Sequence, residues 1–174
     1  MRTIKFLVTI ILTLTALASC RKIEQLPAVP HIEFTSFTVF DTTDILGNLE
    51  KAGKLKFYFE DGDGDLGLKQ PSYSQNDTTN LFLTLFRKTK GEMVQIADQY
   101  DPLLPYSEFR IPYMERLGQN QILKGTISVT FLYTSYTRND TIRYDFYIKD
   151  RALNESNIVS TSEIVISVNN TYSK

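Results

Sequence analysis

Apolar and polar residues alternate in one segment of this chain after another, and this period of two constrains the fold most. Lys54–Glu60 (KLKFYFE) places Leu55, Phe57 and Phe59 on one face, and Thr141–Lys149 does the same with four apolar residues. Side chains of a β-strand point alternately to its two sides, so the pattern predicts strands with one buried face.

Eight segments have this alternation or are rich in β-branched and aromatic residues, and polar or glycine- and proline-containing stretches separate them. We expect them to form an all-β fold, an antiparallel β-sandwich of immunoglobulin-like type with seven or eight strands. A closed barrel is the alternative. Met114–Asn120 is a candidate helical turn, and Asp41–Gly53 is predicted to be a polar loop. The segments are His31–Asp41, Lys54–Glu60, Asn80–Lys88, Glu92–Ile96, Glu108–Tyr113, Gln121–Thr134, Thr141–Lys149 and Ile158–Val168.

The N-terminus has the pattern of a secretory signal. Arg2 and Lys5 precede an apolar run from Phe6 to Leu17, which three threonines interrupt. This run is shorter than the roughly 20 residues that cross a bilayer, and it suits the apolar core of a signal peptide.

The next residues, Leu17-Ala18-Ser19-Cys20, resemble the lipobox of bacterial lipoproteins. The resemblance implies cleavage before Cys20 and a diacylglyceryl group on its sulfur. We therefore expect a signal peptide at 1–19, a lipidated cysteine and tether at 20–30, and a single domain at 31–174. The expected location is the outer membrane, on its periplasmic face or at the cell surface.

Composition narrows the function classes. Cys20 is the only cysteine and His31 the only histidine, so zinc sites built from His and Cys are excluded, and His31 is interpreted as an exposed strand start. Without Arg2 and Lys5, 17 basic side chains face 20 acidic ones with no basic stripe, which argues against nucleic acid. No P-loop or dinucleotide fingerprint is present, and we expect no enzymatic activity.

Asp61-Gly62-Asp63-Gly64-Asp65-Leu66-Gly67 is the sharpest chemical feature. Calcium takes about six to eight oxygen ligands, and carboxylates at alternating positions can surround one ion where glycines let the backbone bend. The start resembles an EF-hand loop, but Leu66 and Ser72 stand where its glycine and glutamate belong, and a strand precedes it. The alternative is an ordinary solvated turn.

A second segment, Asp150-Arg151-Ala152-Leu153-Asn154-Glu155-Ser156-Asn157, resembles the D-x-A-x-N-x-S loop before the last strand of bacterial immunoglobulin-like modules. In such a sandwich both loops lie at the same end. We predict that Asp61, Asp63, Asp65, Asp150 and Asn154 converge on one calcium ion. Together the two motifs resemble a family of small Bacteroidota lipoproteins, which implies the module but no activity.

Tyr100, Tyr106 and Tyr113 cluster in the proline-rich stretch DQYDPLLPYSEFRIPY, which is long enough for recognition of a partner. The alternative is that this stretch packs over a sheet edge. We expect a non-enzymatic accessory or structural subunit of an outer-membrane protein complex. The alternative function is a ligand- or glycan-binding module of the envelope.

Overall fold

The computed structural model describes Arg2 and residues 26–70, 78–96, 107–115, 121–133 and 140–174. Within these ranges the chain forms ten β-strands. They are β1 (His31–Thr43), β2 (Leu49–Asp61), β3 (Leu81–Thr89), β4 (Glu92–Gln95), β5 (Glu108–Phe109), β6 (Leu123–Tyr133), β7 (Thr141–Ile148), β8 (Val159–Ser160), β9 (Ile164–Val165) and β10 (Asn170–Ser173).

Two antiparallel sheets pack against each other and form a β-sandwich. The first has the order β10-β1-β2-β6, and the second has the order β4-β3-β7-β8, with β5 beside β3 and β9 beside β7. In an immunoglobulin-like fold, strands A, B and E share one sheet and strands C, F and G share the other. Here β1, β2 and β6 share one sheet and β3, β7 and β8 share the other, so the predicted sandwich is confirmed.

The β1–β2 hairpin is longer than the sequence predicted. Asp41–Gly53 was expected to be a loop, but pairing continues to Thr43↔Leu49, and only five residues separate the strands. Asp44 makes this tight turn possible, because its Oδ1 accepts hydrogen bonds from the backbone N–H groups of Leu46 and Asn48, both 2.8 Å. The prediction fails here because polar residues on the exposed faces of two paired strands have the same composition as a loop.

The strand count also differs from the predicted seven or eight. The predicted strand Ile158–Val168 consists of two short pieces, β8 and β9, which both pair with β7, and β10 pairs with β1 in the other sheet. Of the candidate helical turn, Met114 and Glu115 have no regular structure, and 116–120 lie outside the described residues.

The core is formed by the alternating faces that the sequence predicted. Phe37 and Phe57 in the first sheet are fully buried and meet aromatic rings of β7, with 5.9 Å between the ring centroids of Phe37 and Tyr144 and 5.3 Å between those of Phe57 and Phe146. Such offset and tilted pairs are the favoured geometries for aromatic rings. These aromatic contacts therefore hold the two sheets face to face.

One buried polar pair crosses this core. The hydroxyls of Tyr133 and Tyr144 are 3.0 Å apart, and burial raises the pKa of both phenols above its usual range, so each stays neutral.

We expect Tyr133→Phe to lower the free energy of unfolding in urea by about 1 kcal/mol, because the Tyr144 hydroxyl loses its partner. The double variant Tyr133→Phe/Tyr144→Phe should cost no more than the single one. A double variant with twice the loss would show that the hydroxyls act independently.

The tether enters the sandwich beside the end of β2. The N–H of Gly62 donates a hydrogen bond of 3.0 Å to the carbonyl oxygen of Pro27, and His31 then begins β1, with its side chain half exposed. Apart from Arg2, the expected signal peptide lies outside the described residues, and so does Cys20. In the described part of the chain, no helix has the length and apolar character needed to cross a membrane.

Candidate functional site: a carboxylate cluster beside the tether

The acidic loop begins at the last residue of β2 and reverses the chain within a few residues. Gly64 and Gly67 have φ angles of 64° and 94°, a region that glycine adopts at little cost. The predicted sharp bending of this loop is therefore observed. As a result, the side chains at the alternating positions 61, 63 and 65 turn toward one another.

Asp61, Asp63 and Asp65 each offer a carboxylate oxygen to one common point, with these atoms all within 4.8 Å of one another. Asp61 is 0% exposed. Its Oδ2 accepts a hydrogen bond of 2.7 Å from the N–H of Leu66, whereas its buried Oδ1 has no hydrogen-bond partner among the described residues. A buried carboxylate oxygen without a donor is costly, so this atom requires a compensating group.

Asp65 has a similar environment. Its Oδ2 accepts a hydrogen bond of 3.1 Å from the N–H of Ala152, and its Oδ1 is buried without a hydrogen-bond partner in the described ranges. Two orphaned carboxylate oxygens therefore lie in one cluster.

The electrostatics of the cluster disfavour negative charge. Burial, with added repulsion from Asp63 and Asp65, raises the pKa of Asp61 to about 6, although the N–H of Leu66 opposes the shift. Burial also raises the pKa of Asp65, with further repulsion from Asp150 and Asp63. A bound cation would stabilise the ionised carboxylates. A donor set made only of oxygens is the set that calcium and magnesium prefer.

The second predicted segment lies against this loop. Ala152 bonds to Asp65, and the Arg151 guanidinium donates from Nη1 to the carbonyl oxygen of Gly67 at 2.9 Å. Asp150 is buried, and its two carboxylate oxygens accept hydrogen bonds of 2.8 Å from the backbone N–H and the side-chain amide of Asn154. The structure thus places Asp61, Asp63 and Asp65 in one group, and Asp150 and Asn154 in an adjoining turn where they bond to each other.

The tyrosines predicted to bind a partner are only partly placed. Tyr100 and Tyr106 lie outside the described residues. Tyr113 is 40% exposed, and its ring lies under both the Lys69 ammonium and the Arg151 guanidinium, each 5.1 Å from the ring centroid. Tyr113 therefore belongs to the same end of the sandwich as the acidic loop.

Sequence reasoning missed an apolar surface at the opposite end. Ile45, Leu46 and Leu49, here called the hairpin tip, surround the β1–β2 turn and are 100%, 83% and 86% exposed. The signal was present in the sequence as three aliphatic residues in the stretch Asp44-Ile45-Leu46-Gly47-Asn48-Leu49. These residues were not considered as a binding surface because the whole stretch was predicted to be a polar loop.

No family model, curated protein or solved structure was found to match this chain.

Proposed function

We propose that this chain is an envelope lipoprotein, held on the outer membrane by lipid on Cys20, that serves as a non-enzymatic accessory subunit of a membrane protein complex. Calcium bound by Asp61, Asp63 and Asp65 stabilises the end of the sandwich beside the tether. The hairpin tip at the other end docks into a partner protein. The observation that supports the accessory role is the exposure of the aliphatic side chains at the hairpin tip.

Hydrogen bonds fix the backbone of the hairpin tip, although its side chains are largely exposed. Asp44 accepts hydrogen bonds from Leu46 and Asn48, and the N–H of Gly47 bonds to the Asp44 carbonyl oxygen at 3.1 Å. Exposed aliphatic side chains on a fixed turn cost solvation free energy in the isolated protein. A fixed turn also loses little conformational entropy on binding, which favours association.

The position of the tip favours a protein partner over the lipid surface. The strands of the hairpin, 13 residues each, run from the tether side at His31↔Glu60 to the turn, and at the usual rise per residue this distance is about 40 Å. The chain from Cys20 to Leu26 reaches at most about 20 Å. A lipid on Cys20 would therefore keep the acidic loop close to the membrane, whereas the tip can extend well beyond the reach of the tether.

The partner suited to this tip has an apolar recess that receives two or three aliphatic side chains. Buried aliphatic side chains contribute about 1.5–3 kcal/mol each, so a tip of this size can anchor a modest interface. We expect the triple variant Ile45→Ser/Leu46→Ser/Leu49→Ser to lose a partner that copurifies stoichiometrically with the wild-type lipoprotein from its own membranes. Cross-linking followed by mass spectrometry would measure the loss.

The matched control is Leu153→Ser/Ile158→Ser, because these two side chains are also well exposed but lie near the other end of the domain. The control should retain the partner, and both variants should keep the wild-type melting temperature. Equal recovery of the partner with the tip variant would contradict docking through the tip. Recovery of the wild-type protein alone would contradict the accessory role itself.

A further inference from the structure

A cavity of about 230 Å³ lies between the acidic loop and the turn after β7. It is lined by residues that precede β3 and by residues that follow β7, namely Leu68, Lys69, Thr79, Asn80, Lys149, Asp150, Arg151 and Leu153. Sites for drug-sized ligands span roughly 300–1,000 Å³, so this cavity suits a single small chemical group. Three cations and one carboxylate line it, which gives the lining a positive balance.

Two of these cations make no salt bridge in the described part of the chain, although the Arg151 guanidinium attracts the Asp65 carboxylate and so opposes the rise in its pKa. Lys69 and Arg151 form no ion pair there, although both lie over the ring of Tyr113. Arg151 donates from Nη1 to the carbonyl oxygens of Gly67 and Leu66, and its other nitrogens make no hydrogen bond among the described residues. Both cations line the cavity and contact the same ring, and an anion in the cavity would attract both.

The carboxylate in the lining does not supply this compensation. Both oxygens of Asp150 accept hydrogen bonds from Asn154, and Asp150 also repels Asp65. Lys149, the third cation, pairs with Glu155 at 3.0 Å. Among the described residues, the charge of Lys69 is therefore not compensated by a carboxylate, and that of Arg151 is compensated only in part, by Asp65.

Asn80 adds an independent observation. Its side chain is 2% exposed, and its Oδ1 accepts a hydrogen bond of 2.7 Å from the N–H of Ile111, which fixes the orientation of the amide. The Nδ2 group on the other side of the amide is buried without a hydrogen-bond partner in the described ranges. A buried amide donor without an acceptor is costly, and an anion in the cavity would satisfy it.

We propose that this cavity binds a small oxyanion group, a phosphate or a carboxylate, which Lys69, Arg151 and the Nδ2 of Asn80 contact together. The arginine fork and the lysine ammonium both bind such groups, and the neutral amide adds direction. This site depends neither on calcium at the acidic loop nor on docking of the hairpin tip.

The test is isothermal titration calorimetry on metal-free protein with two probes, inorganic phosphate and glucuronate. We expect at least one of them to bind, and the stronger probe identifies whether the ligand is a phosphate or an acidic sugar. Asn80→Asp should weaken this binding at least tenfold, because the variant keeps the acceptor for Ile111 but replaces the buried donor with a negative oxygen. Lys69→Gln changes an exposed side chain, so we expect it to leave the fold intact and to weaken binding severalfold.

Lys56→Gln is the matched control, since Lys56 is also exposed but lies on β2, outside the cavity lining. It should bind the probe as the wild type does. Binding of neither probe by the wild type would overturn the proposal. Undiminished binding by Lys69→Gln would overturn it as well, and that result does not depend on the folding of Asn80→Asp.

Discussion

Asp61→Asn is expected to remove the response of this protein to calcium and to raise the melting temperature of the metal-free form. The amide oxygen can still accept the Leu66 N–H, while the orphaned, negatively charged Oδ1 is replaced by a neutral group. Because burial and neighbouring acids already disfavour the charge on Asp61, we expect a gain of ~1 kcal/mol, or roughly 2–4 °C, in metal-free buffer at pH 7.

The wild-type protein should behave in the opposite way. A ligand present at about 100 times its dissociation constant stabilises the folded state by about 2.7 kcal/mol, which for a domain of this size corresponds to roughly 5–10 °C. Differential scanning fluorimetry with and without calcium measures both effects. Asp63→Ala/Asp65→Ala should also abolish the calcium response. It should not raise the metal-free melting temperature as Asp61→Asn does, because the N–H of Ala152 then loses its acceptor on Asp65.

Asp44→Asn is the matched control. Asp44 also lies in a tight turn and accepts backbone hydrogen bonds, but at the opposite end of the hairpin. This variant should keep the full calcium response. An equal response in Asp61→Asn and the wild type would place any calcium elsewhere, and no response in the wild type would mean that the acidic loop is a structural turn.

Gly53→Ala is expected to destabilise the fold by about 1–3 kcal/mol, although alanine is ordinarily the better strand residue. A Cβ atom at Gly53 would lie 2.5 Å from Cζ of Phe37 and 2.9 Å from Cε2 of Tyr133. Both rings are buried and packed against other aromatic rings, so neither can move aside without cost. Urea unfolding at a constant slope would measure the loss.

Gly125→Ala offers a matched control on the neighbouring strand. A Cβ atom there would meet Cε1 of Phe59 at 3.5 Å, an ordinary contact, so we expect a neutral effect or a gain of up to ~1 kcal/mol. Phe37→Leu combined with Gly53→Ala should recover part of the lost stability relative to the sum of the single variants. Equal effects of the two glycine variants would contradict the steric explanation and point to a general backbone effect.

Several features of the fold were predictable because each depends on local side-chain patterning. Leu55, Phe57 and Phe59 are buried as their alternation predicts, and so are Tyr144 and Phe146 in β7. The period of two fixes which side of a strand can be buried, independently of the partner strand. The hairpin turn at Asp44 was missed, since exposed faces of strands and loops have similar polar compositions.

The candidate site was predictable to a similar degree. The acidic loop was visible because carboxylates and glycines alternate within seven residues, and a topology argument correctly predicted that the turn at Asp150 would lie beside it. The hydrogen bonds from Asn154 to both oxygens of Asp150 could not be predicted, because they depend on the local backbone conformation of that turn. The same holds for the orphaned Nδ2 of Asn80.

The sequence by itself determined the all-β class, the buried faces and the position of the carboxylates along the chain, since these follow from local residue order. Tertiary structure alone decided which carboxylate oxygens are buried without a donor, why Gly53 has no room for a methyl group, and that Lys69 and Arg151 both lie against the ring of Tyr113. The space at Gly53 and the contacts of Tyr113 depend on segments 16 or more residues apart, and the orphaned oxygens depend on burial. The residues of one segment encode neither the long-range contacts nor the burial.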